Sequence, residues 1–212
     1  MTAHPVKNTS LGQAQELSLI DRFGRYLSER RILKTLRHRG MDKTVMLDIG
    51  CGYDAWILRK CASLFASGVA VDVAISNEVK SMDNIRVYER PVENVLPDFD
   101  PNYFDIILMN SVLEHLTDPL SILIECRRIL KKGGILMINV PTWLGKYFLE
   151  RSAFFFALSP AEEIDDHKMY YDKRDLWPML VRAGFKPSSI TMKYHKFRLN
   201  LFATCCKTFV VI

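Results

Sequence analysis

Two carboxylates bracket a pair of glycines in the stretch Leu47-Asp48-Ile49-Gly50-Cys51-Gly52-Tyr53-Asp54-Ala55. Gly50 and Gly52 free the backbone for a tight turn and let a ligand lie against bare N–H groups. A turn of that kind, after a strand and before a helix, is how an α/β sheet offers backbone donors to a nucleotide-like ligand. The spacing alone also fits the dinucleotide pattern G-x-G-x-x-A over Gly50 to Ala55, and an ordinary strand-to-helix turn is the structural alternative. The acids separate these readings. Asp48 before the turn and Asp54 inside it would repel a pyrophosphate, and they suit a ligand that carries an ammonium group and no phosphate. A further acid, Asp72, ends the apolar run Gly68-Val69-Ala70-Val71 twenty residues past Gly52. At that distance a second-strand carboxylate accepts both hydroxyl protons of a ribose diol; a helix N-cap is its alternative role. Two histidines could take a proton from an acceptor: His115, after Glu114, and His167, after Asp165 and Asp166. For each, a structural hydrogen bond is the competing role.

These groups need elements to hold them. Val45 to Ile49 reads as a buried strand and Ala55 to Leu64 as the helix that follows. Gly68 to Asp72 and Ile85 to Glu89 supply the second and third strands, and Asn102 to Asn110 the fourth. Asp118 then Pro119 starts a helix, by a side-chain cap and a proline at the first helical position. That helix is predicted to run to about Lys131 and to stop at Gly133-Gly134, ahead of a fifth strand over Ile135 to Val140. Residues 141–171 are irregular. Asp172 caps a helix ending near Ala183 and Gly184, and two closing strands follow at about 188–194 and 200–209, as an antiparallel hairpin. At the other end, residues 1–10 read as disordered, and Leu11 to Arg39 has helical spacing with an arginine-rich polar face.

The ordered set of acid–glycine turn, second-strand acid and later strand signals resembles the class I S-adenosylmethionine-dependent methyltransferases, of the type 11 kind, whose first motif is D-x-G-x-G-x-G. Asp54 stands where the third glycine is usual. The fourth strand is similar to the family's Phe-Asp-apolar-apolar strand at Phe104-Asp105-Ile106-Ile107, and Ala183-Gly184-Phe185 to a later element. The resemblance implies an α/β Rossmann-like three-layer sandwich on a seven-stranded, mostly parallel sheet with its last strand antiparallel. It implies an N-terminal helical extension over residues 1–40 and a methyltransferase domain over 41–212, with a covering insertion at about 141–171. It implies S-adenosylmethionine as cofactor, held by Asp48, Gly50, Cys51, Gly52, Asp72, Val92 and Asn110. Pro91-Val92-Glu93 stands where an acid–apolar–acid pattern is usual, so only the Val92 backbone carries over. His167 and His115 are the candidate catalytic bases.

The segment from Asp165 to Phe185 resembles methyltransferases that modify sugars and polysaccharides, which points to O-methylation of a sugar, nucleotide-sugar or other small molecule. A lipid-linked or quinone acceptor is the rival, favoured by the run Phe154-Phe155-Phe156. A non-catalytic, cofactor-binding partner subunit is a further one, motivated by Asp54 and Pro91. Asp48 argues against a nicotinamide oxidoreductase.

Composition bounds the rest. A chain of 212 residues, 49% hydrophobic and 25% charged, suits one globular α/β domain. A net charge of +5 permits an anionic substrate without requiring one. Nucleic acid is disfavoured, because there is no long basic stripe and no appended RNA-binding module. The five cysteines form no disulfide framework and no metal spacing, which fits a reducing, cytoplasmic compartment. No metal site, signal peptide or transmembrane run is expected.

Overall fold

A computed structural model describes residues 19–37, 44–147 and 168–208. The expectations for residues 1–18 and for the aromatic run at 154–156, and the candidate base His167, lie outside the described residues.

Strand β1 (Val45–Ile49) is the axis of a seven-stranded sheet. It lies between β2 (Ser67–Asp72) and β4 (Phe104–Asn110), with β3 (Ile85–Glu89) beyond β2 and β5 (Leu130–Pro141) beyond β4. All four of those pairings are parallel. Parallel strands covered on both faces read as near-continuous apolar runs, as Met46, Leu47 and Ile106 to Met109 do. β7 (Asn200–Cys206) runs antiparallel to β5, and β6 (Ile190–His195) closes the sheet antiparallel to β7. The sheet is therefore mostly parallel, with the last strand reversed, as expected.

One face of the sheet packs on helices α1 (Leu19–Arg37), α2 (Trp56–Cys61) and α3 (Asn77–Lys80), through Ile32, Leu36, Leu58, Cys61 and Val79. The other packs on α4 (Pro119–Ile129) and α5 (Lys173–Arg182), through Leu123, Cys126, Leu176 and Leu180. This is the three-layer arrangement of an α/β domain. No helix among the described residues is long and apolar enough to cross a membrane.

The start of α4 follows the sequence reading: Asp118 Oδ1 accepts the Ser121 N–H at 3.1 Å, with Pro119 in the first turn. Its end does not. The helix stops at Ile129, Leu130 is already extended, and Gly133-Gly134 lie inside β5 rather than at a helix terminus. A partner remote in sequence sets this boundary. Lys207 Nζ donates to the carbonyls of Arg128 and Leu130 at 3.0 and 2.6 Å, while its backbone bonds Gly133 and Gly134 at 2.7 and 3.0 Å. The ammonium thus takes the orphaned carbonyls of the last turn, where positive charge is favoured. Replacing Lys207 with methionine is expected to lower unfolding free energy by about 1–3 kcal/mol in urea titration. A value within error of wild type would show that water serves those carbonyls equally well.

Candidate functional site

All the parallel strands end at one edge of the sheet, and β1 delivers the site there. Asp48, 2% exposed, is the last polar side chain before the turn. Gly50 and Gly52 take φ of +65° and +76°, in the left-handed region that glycine enters without strain. The N–H groups of Gly50 and Cys51 donate to the Val71 carbonyl at 2.8 and 3.2 Å. Asp72 Oδ2 accepts the Gly52 N–H at 2.8 Å, and its Oδ1 accepts the Val73 N–H at 2.7 Å. Asp72 therefore fastens the glycine turn to β2, and each of its oxygens keeps a lone pair for a further donor.

Where the family pattern has a third glycine, Asp54 is exposed and lies outside the left-handed region. The left-handed residue comes one position later, at the buried Ala55 (φ 41°, ψ 47°). The departure is thus absorbed by a shift along the chain, and the backbone at Asp54 makes no demand for glycine. Val92 opens a short 3₁₀ turn after β3, and the Cys51 side chain lies in the turn itself. Burial and the neighbouring Asp48 raise the Cys51 thiol far above its usual range, so it is no nucleophile.

Asp48 is the electrostatic centre. Its Oδ2 is buried with no hydrogen-bond partner among the described residues. Burial first, and then the charge of Asp72, push its carboxyl well above the usual carboxylate range. A buried acceptor without a donor is costly, and a second carboxylate nearby adds to the cost. An ammonium group in the turn would supply both the missing donor and the missing charge. The residues present therefore fit an amino-acid-bearing nucleoside: Asp48 would face its cation, the glycine turn its body and Asp72 its diol.

Beyond β1 lies a polar chain that no sequence motif announces. Asn139, fully buried on β5, donates from Nδ2 to Asn110 Oδ1 at 3.0 Å and to Ser28 Oγ of α1 at 3.4 Å. Its Oδ1 lies 2.6 Å from His195 Nε2 at the end of β6. Because that oxygen can only accept, Nε2 must carry the proton. Burial, with Lys196 and Arg31 nearby, drives the His195 ring down to about 4, so it stays neutral. The chain fixes the Asn110 amide with its oxygen toward Asn139, which leaves its NH₂ as the group to present to a ligand. His195, which no sequence motif singles out, is the outer member of this relay. Only its place at the carboxyl edge of the sheet could have signalled it.

The loop after β4 carries the other candidate histidine. His115 is half-buried in the 3₁₀ turn Leu113–His115. Its neighbour Glu114 is the more perturbed group: 1% exposed, neither carboxyl oxygen paired among the described residues, and pushed up to about 8 by burial. Nearby Tyr171 donates to the Leu113 carbonyl at 3.4 Å, and burial and Glu114 raise its hydroxyl to about 12. No group of three or more His, Cys, Asp or Glu that could hold a metal occurs among the described residues.

Comparison with known proteins agrees with this geometry. Residues 47–138 match the family described as methyltransferase domain. A ubiquinone biosynthesis O-methyltransferase of Maricaulis maris is 31% identical over 127 residues, 57% of this chain and 45% of that protein. Another of that name, from Dinoroseobacter shibae, is 28% identical over 182 residues, 78% of this chain and 66% of its own. The chain spans about half the length of most of the curated relatives it matches. Among solved structures, a SAM-dependent methyltransferase from Archaeoglobus fulgidus superposes with TM-score 0.62 at 16% identity, covering 89% of this chain and all of that one. A methyltransferase from Haloferax volcanii, solved with its Trm112 activator, gives 0.61 at 13% identity, over 92% of this chain and 100% of that one.

Proposed function

We propose that this chain, whose residues 47–138 match the methyltransferase-domain family, is a class I S-adenosylmethionine-dependent methyltransferase that methylates an oxygen of a sugar, nucleotide-sugar or other small molecule. The observation that carries the reading is the buried, unpartnered Oδ2 of Asp48 beside a glycine turn that Asp72 holds in place. When bound, S-adenosylmethionine supplies a methyl group already activated by its sulfonium. The protein's share is then alignment and a dry site. Asp48 anchors the cation, the turn at Gly50 and Gly52, whose N–H groups are held by Val71 and Asp72, lets the ligand lie close to the backbone, and Asp72 orients the diol. Asn110, its amide fixed through Asn139 and His195, lies on the side away from β2, where an acceptor would approach. His115 and His167 remain the candidate bases for an acceptor hydroxyl.

A quinone or lipid-linked acceptor is the second reading, supported by relatives named for ubiquinone biosynthesis. A cofactor-binding partner subunit is the non-enzymatic one. Calorimetric titration separates them. S-adenosylmethionine and S-adenosylhomocysteine are expected to bind and NAD not to. Absence of binding by either adenosyl ligand would overturn the proposal, and binding without transfer to any sugar, nucleotide-sugar or quinol would leave the partner subunit.

Asp48→Asn provides a sharper check. Ionising Asp48 costs more in the folded chain than in the unfolded one, so its contribution to stability falls as pH rises past the usual aspartate range. Asparagine has no such ionisation and brings a donor of its own. At pH 8 the variant is expected to be about 1–3 kcal/mol more stable in urea, yet to bind S-adenosylhomocysteine at least about tenfold more weakly. A variant that is both less stable and equally tight-binding would contradict the role given to Asp48.

A further inference from the structure

A cleft of about 430 Å³ lies at the same edge of the sheet but over its opposite half. Trp143, Asp172, Arg174, Asp175, Tyr194 and Arg198 line it. The glycine turn stands over β1 and β2, while this cleft stands where β5 and β6 end and β7 begins. Asn110 and Asn139 occupy the strand ends between the two.

The walls are built, not incidental. One is the helical turn over residues 143–147 that leaves β5; the other is the turn joining β6 to β7. Both are fastened to a single buried hydroxyl. Thr142, fully buried, donates from Oγ1 to the Arg198 carbonyl at 2.7 Å and from its N–H to the Leu199 carbonyl at 2.9 Å. The same Oγ1 accepts the Gly145 N–H at 3.0 Å. Gly145 packs so closely that a Cβ there would come within 2.3 Å of the Leu199 carbonyl oxygen. Thr142 thereby holds Lys196, Phe197 and Arg198 at φ of 49°, 57° and 68°. Three successive non-glycine residues in the left-handed region store strain that persists only where surrounding contacts over-determine it, commonly at ligand sites.

The lining identifies the ligand class. Trp143 is 46% exposed, its Nε1 held by Asp175 Oδ2 at 3.3 Å, its ring 5.6 Å from that of Tyr170 and its centre 5.6 Å from Lys146 Nζ. An indole fixed at its edge but open to solvent is a rigid platform for one flat face of a ring. Tyr194 is the more covered of the two rings, half-buried with Lys173 and Arg198 each 5.1 Å from its ring centre. The remaining wall carries two aspartates and two arginines, whose charges cancel. An isoprenoid chain would strip water from those four groups without replacing it, and a phosphate would meet two carboxylates. A neutral ring bearing several hydroxyls can donate to the acids, accept from the guanidinium groups and lay its C–H face on Trp143.

We propose that the cleft between Trp143 and Arg198 is the acceptor subsite, and that it takes a polyhydroxylated ring, a glycosyl group, stacked on Trp143. The assignment rests on the methyltransferase reading for its use, but not for its binding chemistry.

The test uses the full chain saturated with S-adenosylhomocysteine. Glucose, rhamnose and UDP-glucose are titrated, with a dihydroxybenzoquinone-type quinol as the apolar rival, and binding is followed by saturation-transfer NMR and tryptophan fluorescence. At least one saccharide is expected to bind. Trp143→Ala and Arg198→Ala, both at the protein surface, are each expected to weaken it about tenfold or more while S-adenosylhomocysteine affinity is unchanged. The proposal is overturned if no saccharide of the panel binds, if neither variant alters the affinity, or if the quinol alone gives a Trp143-dependent signal. Failure of wild-type protein to bind S-adenosylhomocysteine would strike the cofactor reading alone, since Trp143-dependent saccharide binding can be read without it.

Discussion

Gly50→Ala is expected to abolish measurable S-adenosylhomocysteine binding and to lower unfolding free energy by about 2–5 kcal/mol. Two independent penalties combine. At φ +65° an alanine pays for the left-handed conformation, about 1–2 kcal/mol. Its Cβ would also sit 2.3 Å from Val112 Cγ2, and Val112 cannot retreat freely because it lies two residues past the end of β4 and packs on the core. Relieving that overlap by movement is worth a further 1–3 kcal/mol, roughly. The movement would also pull the Gly50 and Cys51 N–H groups off the Val71 carbonyl, so the turn loses its shape along with its stability. The chain contains its own control. Gly133 has φ +81°, and a Cβ there would meet nothing within 4 Å, so Gly133→Ala carries the conformational part only, about 1 kcal/mol or slightly more. Adding Val112→Ala to Gly50→Ala should recover part of the packing term and none of the backbone term. Equal losses at Gly50 and Gly133 in urea titration would refute the steric argument.

The second large effect is a pH dependence that Glu114 imposes. In the unfolded chain its carboxyl titrates at the ordinary glutamate value of 4.5, and in the folded protein at about 8. Between those values the native state keeps a proton that the unfolded state releases. Its contribution is therefore fully present below pH 4.5, is lost as pH rises toward 8, and is flat above that. The slope approaches about 1.4 kcal/mol per pH unit from this group alone, on the order of a few kcal/mol across the window. Glu114→Gln keeps the shape and removes the ionisation. It is expected to be close to wild type in stability at pH 5 and clearly more stable at pH 8.5. Parallel stability–pH curves for the two proteins would mean that Glu114 is solvated or paired and is not the buried acid described above.

The turn after β1 and the strands around it are legible in the sequence, because their signals are local. A left-handed turn requires glycine, so Gly50 and Gly52 declare themselves; and an acid at the end of the next strand, Asp72, falls at a spacing fixed by the length of one strand–helix–strand unit. Sheet order followed as well, since apolar runs alternating with capped helices leave few topologies. Asp118 before Pro119 marked the start of α4 because a cap is a contact between neighbours. The end of α4 was misplaced because its cap, Lys207, is 79 residues from Arg128 and joins it only across the sheet.

The sequence by itself determined the bend after β1, its flanking acids and the strands that aim them, because all are written within short spans of chain. The tertiary structure alone decided which polar groups are deprived of water and which partners they then find. Glu114 looks like any loop glutamate until burial withholds its solvent, and His195 looks like a surface histidine until β7 reverses and sets it beside Asn139, 56 residues away. Spacing along a chain encodes turns and faces; desolvation and long-range pairing depend on what the folded neighbours exclude, and no local pattern carries that information.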